Sequence, residues 1–255
     1  MMEIISFHLM GKMAHFRKYY SNSSSLSYFI PPRTTICGMI AGLLGLERDS
    51  YYDDFSVDNF KVAVSSQRPI KKTMQKVNYL LVEKPNDLNG YQEHHSQTPI
   101  ELVIPQNIRE DCIDYKIWVY HKDKEIMGKM KELFNDNVQS YYKSYNISIA
   151  LGTAFNLGWI ENINILEGEE IFKENEAIIS SVMPADKVKD IQTESLTGYK
   201  KRIIKEELPI EFDAKRRITH RGLKDIIANI DGVNIIAAVD SYVALEDGQN
   251  IMWME

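Results

Sequence analysis

The stretch Pro31-Pro32-Arg33-Thr34-Thr35-Ile36-Cys37-Gly38-Met39-Ile40-Ala41-Gly42-Leu43-Leu44-Gly45 admits few conformations, because residue type fixes both of its ends. The two prolines suit the turn before a helix and cannot lie inside one, and a Thr34 or Thr35 hydroxyl can cap the first turn. Gly45 supplies the stop. Between these ends Ile36, Met39, Ile40, Leu43 and Leu44 recur at the spacing of a core-facing stripe, whereas Gly38, Ala41 and Gly42 leave a neighbouring strip nearly bare. Some other element must approach that strip closely. Two readings of its N-terminal turn compete: a phosphate seat made of Arg33, the threonine hydroxyls and free backbone N–H groups, or a glycine strip packed on a helix or strand. Taken alone, the pattern favours the packing.

Before this helix, Ile5, Phe7 and Leu9 alternate with Ile4, Ser6 and His8, the period of a strand. A long connection follows, Gly11 to Ile30, carrying Lys12, His15, Arg17, Lys18, Tyr19, Tyr20 and Ser21 to Ser25 except Asn22. Its cations, hydroxyls and rings could donate to phosphates and stack on bases, or the segment could be a plain surface loop. After the helix, Phe60–Ser66 and Val77–Val82 read as strands around a basic tip, Gln67 to Lys76, that would project as a finger gripping a phosphate backbone with Arg68, Lys71, Lys72 and Lys76 while Met74 wedges between bases. The competing reading is a solvated hairpin end. Ile100, Leu102 and Ile104 mark a further strand, and Ile117 and Val119 another whose second face, Lys116, Trp118 and Tyr120, is expected to be covered. Asp123 can cap a second helix running to about Asn135. Ile147–Gly152 and Trp159–Leu166 then flank a turn with two glycines that lacks Walker or Rossmann spacing. Strand, helix, strands, helix, strand is the β-α-β-β-α-β order of a ferredoxin-like domain of the α+β class. Residues 169–255 read as a smaller, strand-rich extension after a domain spanning residues 1–168, with the finger at about residues 60–83.

The totals narrow the class. A chain of 255 residues with 44% hydrophobic and 26% charged residues is globular, and its longest apolar run, Ile36 to Leu46, is too short and too glycine-rich to span a bilayer. Two cysteines and no visible leader fit a reducing cytoplasm. The net charge of −6 argues against non-specific coating of nucleic acid, but charge is segregated. Lys61 to Lys76 holds five basic residues and no acid, and Glu161 to Glu176 holds six acids against Lys173. Adjacent His94 and His95 lack further ligands at metal spacing, so neither a metal nor any other cofactor is expected.

The order of these features resembles the Cas "five" subunit family of type I CRISPR surveillance complexes, in particular the type I-B branch. The likeness is carried by the first strand and basic loop, Pro31 to Gly38 with Gly42 to Gly45, the basic hairpin, the Leu151-Gly152-Thr153 turn, and Leu208-Pro209 with Phe212-Asp213 and Arg217. It implies a ferredoxin-like (RRM-like) body of the repeat-associated RNA-binding (RAMP) superfamily with the hairpin as a thumb. It further implies a cytoplasmic subunit that holds the crRNA 5′ handle, bridges the Cascade backbone subunits and the large subunit, and meets target DNA only through the complex. The RNA-binding set so implied is Lys12, His15, Arg17, Lys18, Tyr20 and Ser23 in the loop, Arg33, Thr34, Thr35 and Gly38 at the helix start, Arg68, Lys71, Lys72, Met74, Gln75 and Lys76 on the thumb, and Gly152 and Thr153.

In the type I-C branch the equivalent subunit cuts precursor RNA, which needs an acid, a base and a charge stabiliser around one phosphate. His15, Lys18, Tyr19 and Tyr20 could supply such groups, giving a metal-independent endoribonuclease as the alternative. An unrelated RRM-like RNA-binding protein is the third reading. No Ser-His-Asp arrangement or paired-acid motif stands out, and the expectation is a non-catalytic subunit.

Overall fold

The computed structural model describes residues 1–21, 24–89, 95–135, 149–172, 175–192 and 202–255. Its strands are β1 (Met2–Gly11), β2 (Phe16–Arg17), β3 (Ser27–Tyr28), β4 (Phe60–Ser66), β5 (Ile70–Leu80), β6 (His95–Pro105), β7 (Ile113–His121) and β8 (Gly158–Ile171) in the first two-thirds of the chain. They continue as β9 (Asn175–Ile179), β10 (Met183–Pro184), β11 (Val188–Gln192), β12 (Ile203–Pro209), β13 (Leu223–Asn229), β14 (Ile235–Val239), β15 (Tyr242–Leu245) and β16 (Asn250–Ile251). The α-helices among the described residues are α1 (Arg33–Leu43) and α2 (Lys124–Asn135). Neither is long and apolar enough to cross a membrane.

Among the described residues, nine strands form one sheet in the order β11-β14-β9-β16-β15-β8-β1-β7-β4. β1 lies at its interior, antiparallel to both β7 and β8, so both its edges are paired, and from Ile4 to Gly11 all but the half-buried His8 are buried. Ile5, Phe7 and Leu9 point into the main core with α1 and α2, where Phe7 stacks on Phe134 at 5.0 Å. Ile4 points the other way, into a second cluster with Ala63, Trp118, Val243, Leu245, Ile251 and Trp253. Trp118 is therefore covered, by the C-terminal strands, and Lys116 sits 4.9 Å over its ring. The boundary expected at residue 168 falls inside β8, which carries the sheet without interruption from the first part of the chain into the last.

Both helix ends follow from local chemistry. Asp123 Oδ1 accepts from the N–H groups of Glu125 and Ile126 and so caps α2. At α1 the expected threonine cap does not form: the Ncap is Pro32, whose carbonyl takes the N–H groups of Thr35 and Ile36. The other end stops at Gly45, in the left-handed region at φ 73°, with Gly45 N–H bonded to Gly42 O and Leu46 N–H to Ala41 O. The bare strip of α1 is half used. The Tyr51 hydroxyl lies 3.0 Å from where a Cβ on Gly38 would sit, whereas Gly42 has nothing within 4 Å.

The hairpin differs from its sequence expectation in register. β4 joins the main sheet beside β7, and the supposed basic tip is itself strand β5, paired along its whole length with β6 from Ile70↔Pro105 to Leu80↔His95. The finger exists, but its pairing runs outward as far as Leu80 and His95 and its base is Ile70 and Val103, both buried in the main core. Ile100, Leu102, Ile104 and Val77 share one face and pack with Met13 of the loop, which runs along β6 through the bridges Ala14↔Val103 and Ser25↔Ile100.

Candidate nucleic-acid interface

The outer half of the finger meets water on both faces. Met74, Gln75, Lys76, Asn78, Tyr79 and Leu80 are exposed, Met74 at 52% and Tyr79 at 43%. Met74 and Lys76 lie on one face of the finger and Tyr79 on the other, so each face of this paired backbone holds out an apolar or aromatic side chain of the kind that meets a nucleic-acid strand. Lys71, nearer the base, is half-buried on the face shared with Gln75 and Tyr79.

The other basic residues proposed for RNA are largely committed to the protein itself. Lys72 is one of them, and its reading as a backbone grip is corrected. Its ammonium lies 4.1 Å over the Phe29 ring, donates to Ser27 O at 2.6 Å, and pairs with Glu206 at 3.2 Å and Glu101 at 3.3 Å. Lys18 pairs with the same Glu206 at 3.0 Å and lies over the Tyr28 ring at 5.2 Å. Burial works against the charged form of Lys18, but Glu206 and Tyr20 outweigh it and hold the ammonium above the ordinary lysine range. This half-buried network ties the loop, the finger and β12 together. Arg68 pairs with Asp111 at 3.0 Å, Lys12 donates to Asp111 O and Arg17 to Ser21 O. Ser23 lies outside the described residues.

His15 is also corrected. It is 2% exposed, with Nδ1 2.7 Å from Glu101 O and Nε2 2.9 Å from the Ser25 hydroxyl, so both ring nitrogens are engaged within the protein. Gly152 and Thr153 serve the same loop from behind. His15 N–H donates to Leu151 O, Gly152 packs on the His15 carbonyl, and Thr153 Oγ1 accepts from Asn156 Nδ2. Tyr19 and Tyr20 remain on the surface, edge to face at 5.2 Å, with the Tyr19 hydroxyl donating to Glu207.

Arg33 carries the largest correction. At 1% exposure it points inward, and its guanidinium donates to the backbone carbonyls of Ile210 (2.8 Å), Phe55 (2.9 Å), Ser56 (2.9 Å) and Phe60. A residue that reads as a phosphate donor at a helix start is instead a staple between α1, the segment before β4 and the turn after β12. Thr34 and Thr35 stay half-buried at the surface of that turn, and Thr34 Oγ1 is 3.5 Å from Pro209 O, the limit of a hydrogen bond.

Beside the staple is a cavity of about 200 Å³ that sequence reasoning did not find. Arg33, Thr34 and Cys37 of α1, Tyr51, Tyr52 and Phe55, and Ile210 to Phe212 with Arg216 line it. Burial pushes the Tyr52 phenol up to about 12, with Asp49 adding to the rise, and pushes the Cys37 thiol up, so both are neutral. Glu211 takes Val57 N–H at 3.0 Å and the Thr219 hydroxyl at 2.7 Å, and lies beside Arg221. Burial opposes its charge, yet these donors hold its carboxyl below the ordinary glutamate range. A depressed carboxyl contributes stability that is full above the unfolded-state value and lost as pH falls through the folded one. Glu211→Gln is therefore expected to lower the melting temperature near neutrality and to flatten its fall below the ordinary glutamate range. An unchanged acid limb would show that Glu211 does not supply it.

The C-terminal basic residues are mostly paired: Arg216 with Asp49 at 2.7 Å, Arg217 with Asp213 at 2.9 Å, Lys205 with Asp225 at 2.8 Å and Lys224 with Asp186 at 2.7 Å. Lys200 and Lys201 lie outside the described residues.

No curated protein matches the sequence. The fold is similar to that of a CRISPR protein from Archaeoglobus fulgidus, with a TM-score of 0.57 at 10% identity over 98% of this chain and 97% of that one. A chain of a CRISPR RNA-guided surveillance complex is similar at a TM-score of 0.47, with 12% identity over 92% of this chain and 91% of that one. Residues 4–102, from β1 to the inner part of β6, match the model of a family described as "CRISPR-associated protein (Cas_Cas5)".

Proposed function

We propose that this chain is a non-catalytic, RNA-binding subunit of a type I CRISPR effector complex, of the type I-B branch, which holds the 5′ handle of the guide and bridges the backbone and large subunits in the cytoplasm. The observation that carries the reading is the span of the family match: residues 4–102 take in β1, the basic loop, α1 and most of the finger. The strand order β8-β1-β7-β4, all antiparallel, with α1 between β1 and β4 and α2 between β7 and β8, supports a ferredoxin-like body. The exposed Met74, Lys76 and Tyr79 support the finger as the strand-gripping element. His15, enclosed by Glu101 and Ser25, favours binding over cleavage.

The test is binding of a labelled repeat RNA across a salt series. Lys71→Gln with Lys76→Gln is expected to weaken binding and to flatten the salt dependence by about one to two units of log–log slope. Lys72→Ala should instead lower stability, because it empties the site between Glu101 and Glu206. Equal affinity and slope in the finger variant would overturn the role given to the finger. Specific cleavage of the RNA in EDTA would overturn the non-catalytic reading.

A further inference from the structure

We propose that the cavity between the start of α1, the Tyr51–Phe55 segment and the Ile210–Arg216 turn is a nucleobase pocket. It takes one unpaired base of an RNA strand against aromatic walls and leaves the sugar and phosphate at its rim. The proposal rests on the RNA-binding reading above but concerns a different surface, remote in sequence from the finger.

Size is the first argument. At about 200 Å³ the cavity falls below the usual range for whole small-molecule ligands, about 300–1,000 Å³, so it accommodates a single ring system with the remainder of the ligand outside. The walls are the second. Tyr51 and Tyr52 stack with ring centroids 4.9 Å apart at 27°, Phe55 meets Tyr51 edge-on at 5.8 Å, and Phe212 stands on the opposite segment. Asp49 accepts from the Tyr52 hydroxyl at 2.8 Å, which holds that ring in place. Aromatic faces of this kind stack on any base, and an array already packed in place loses little freedom on binding.

The polar groups are sparse and placed as a base edge requires. The Thr34 hydroxyl, at the limit of bonding to Pro209 O, is available to donate or accept. Arg33 is 1% exposed, and its Nε has no partner while the rest of the guanidinium is bound. Glu211, the one carboxylate in the lining, is already engaged by Val57 N–H, Thr219 and Arg221. At the mouth stands Arg216, paired with Asp49, whose guanidinium can turn from that carboxylate to a passing phosphodiester. This single, already paired rim cation is why the occupant is a base within a strand and not a free nucleotide. A di- or triphosphate would need several uncommitted cations, and of the two arginines in the lining Arg33 is bound to backbone carbonyls and Arg216 to Asp49.

Three measurements on the full chain test this: affinity for a repeat-derived RNA, affinity for AMP, GMP, CMP and UMP, and photocrosslinking of the RNA carrying 4-thiouridine at successive positions. The variants are Phe212→Ala, which removes one wall, and Thr34→Val, which keeps the shape and removes the hydroxyl, each checked by its melting temperature. One labelled position is expected to crosslink to the peptide containing Tyr51 and Tyr52 or that containing Phe212. Phe212→Ala should bind the RNA about ten-fold more weakly with an unchanged salt slope, the converse of the finger variant. RNA bound equally by native protein and both variants, with no crosslink to these peptides, overturns the pocket and leaves the RNA-binding reading standing. Mononucleotides bound tightly and lost in Phe212→Ala, with no RNA bound, overturn the RNA reading and the strand-borne occupant together.

Discussion

Arg33→Met is expected to lower the free energy of unfolding by about 3–5 kcal/mol, seen as a fall in the urea midpoint at unchanged denaturant slope. The reason is arithmetic on buried oxygens. Three carbonyls, from Phe55, Phe60 and Ile210, lose the Arg33 donor, whereas Ser56 O keeps the N–H groups of Asn59 and Phe60; each buried acceptor left unpaired costs about 1–3 kcal/mol, partly offset by no longer burying a charge. Arg33→Lys should recover little, since a single ammonium cannot reach acceptors on two separate segments as the planar fork does. The same pair of variants decides between the two readings of this residue. If Arg33→Lys matches the native midpoint yet binds RNA weakly, the guanidinium works on the ligand and the staple is wrong.

Gly152→Ala is expected to cost more than 4 kcal/mol or to abolish folding. Gly152 sits at φ +93°, and an added Cβ would lie 1.8 Å from the His15 carbonyl oxygen and 2.6 Å from its carbon. Those are backbone atoms, so no rotamer change relieves the clash, and the loop carrying His15 must leave the turn behind it. Gly42→Ala is the matched contrast. With nothing within 4 Å of the new methyl on an exposed helical position, it should raise stability by about 0.5–1 kcal/mol. A thermal melt of the two variants distinguishes a glycine needed for close approach from one that is merely tolerated; a soluble Gly152→Ala protein with a native melting temperature would disprove the close packing.

What could be read in advance depended on how local its cause was. α1 and α2 were legible because Pro32, Gly45 and Asp123 punctuate them within a turn of their ends. β1 was legible by its alternation, and the covering of Trp118 by the crowding of rings on one face. The finger was found but misregistered. Apart from Met74, β5 is polar through its middle, Lys71, Lys72, Thr73, Gln75 and Lys76, because its outer half projects from the body, and only its pairing with Ile100, Leu102 and Ile104 on β6 defines it as strand.

The roles of single cations were the least legible. Lys71 and Lys72 are adjacent and identical in sequence terms, yet Lys72 alone turns toward Glu101, Glu206 and Phe29. Burial of Arg33 likewise depends on a carbonyl 177 positions away, which no window of sequence contains. The aromatic cavity draws on Tyr51 and Phe212 for the same reason, and its one local sign was the tight spacing of Tyr51, Tyr52 and Phe55.

The central position of β1 also sets an order of assembly during synthesis. β1 is made before both of its neighbours, β7 and β8, and the second of them is not complete until residue 171 has emerged, while the Arg33 guanidinium waits for residue 210. Until then the nascent chain carries an apolar strand with an open edge and a charged group without its acceptors, the kind of state that chaperones engage and that aggregates when crowded. The N-terminal half is accordingly not expected to fold alone. A fragment ending near residue 102 would lack both neighbours of β1, and the intact chain should fold late and as one cooperative body.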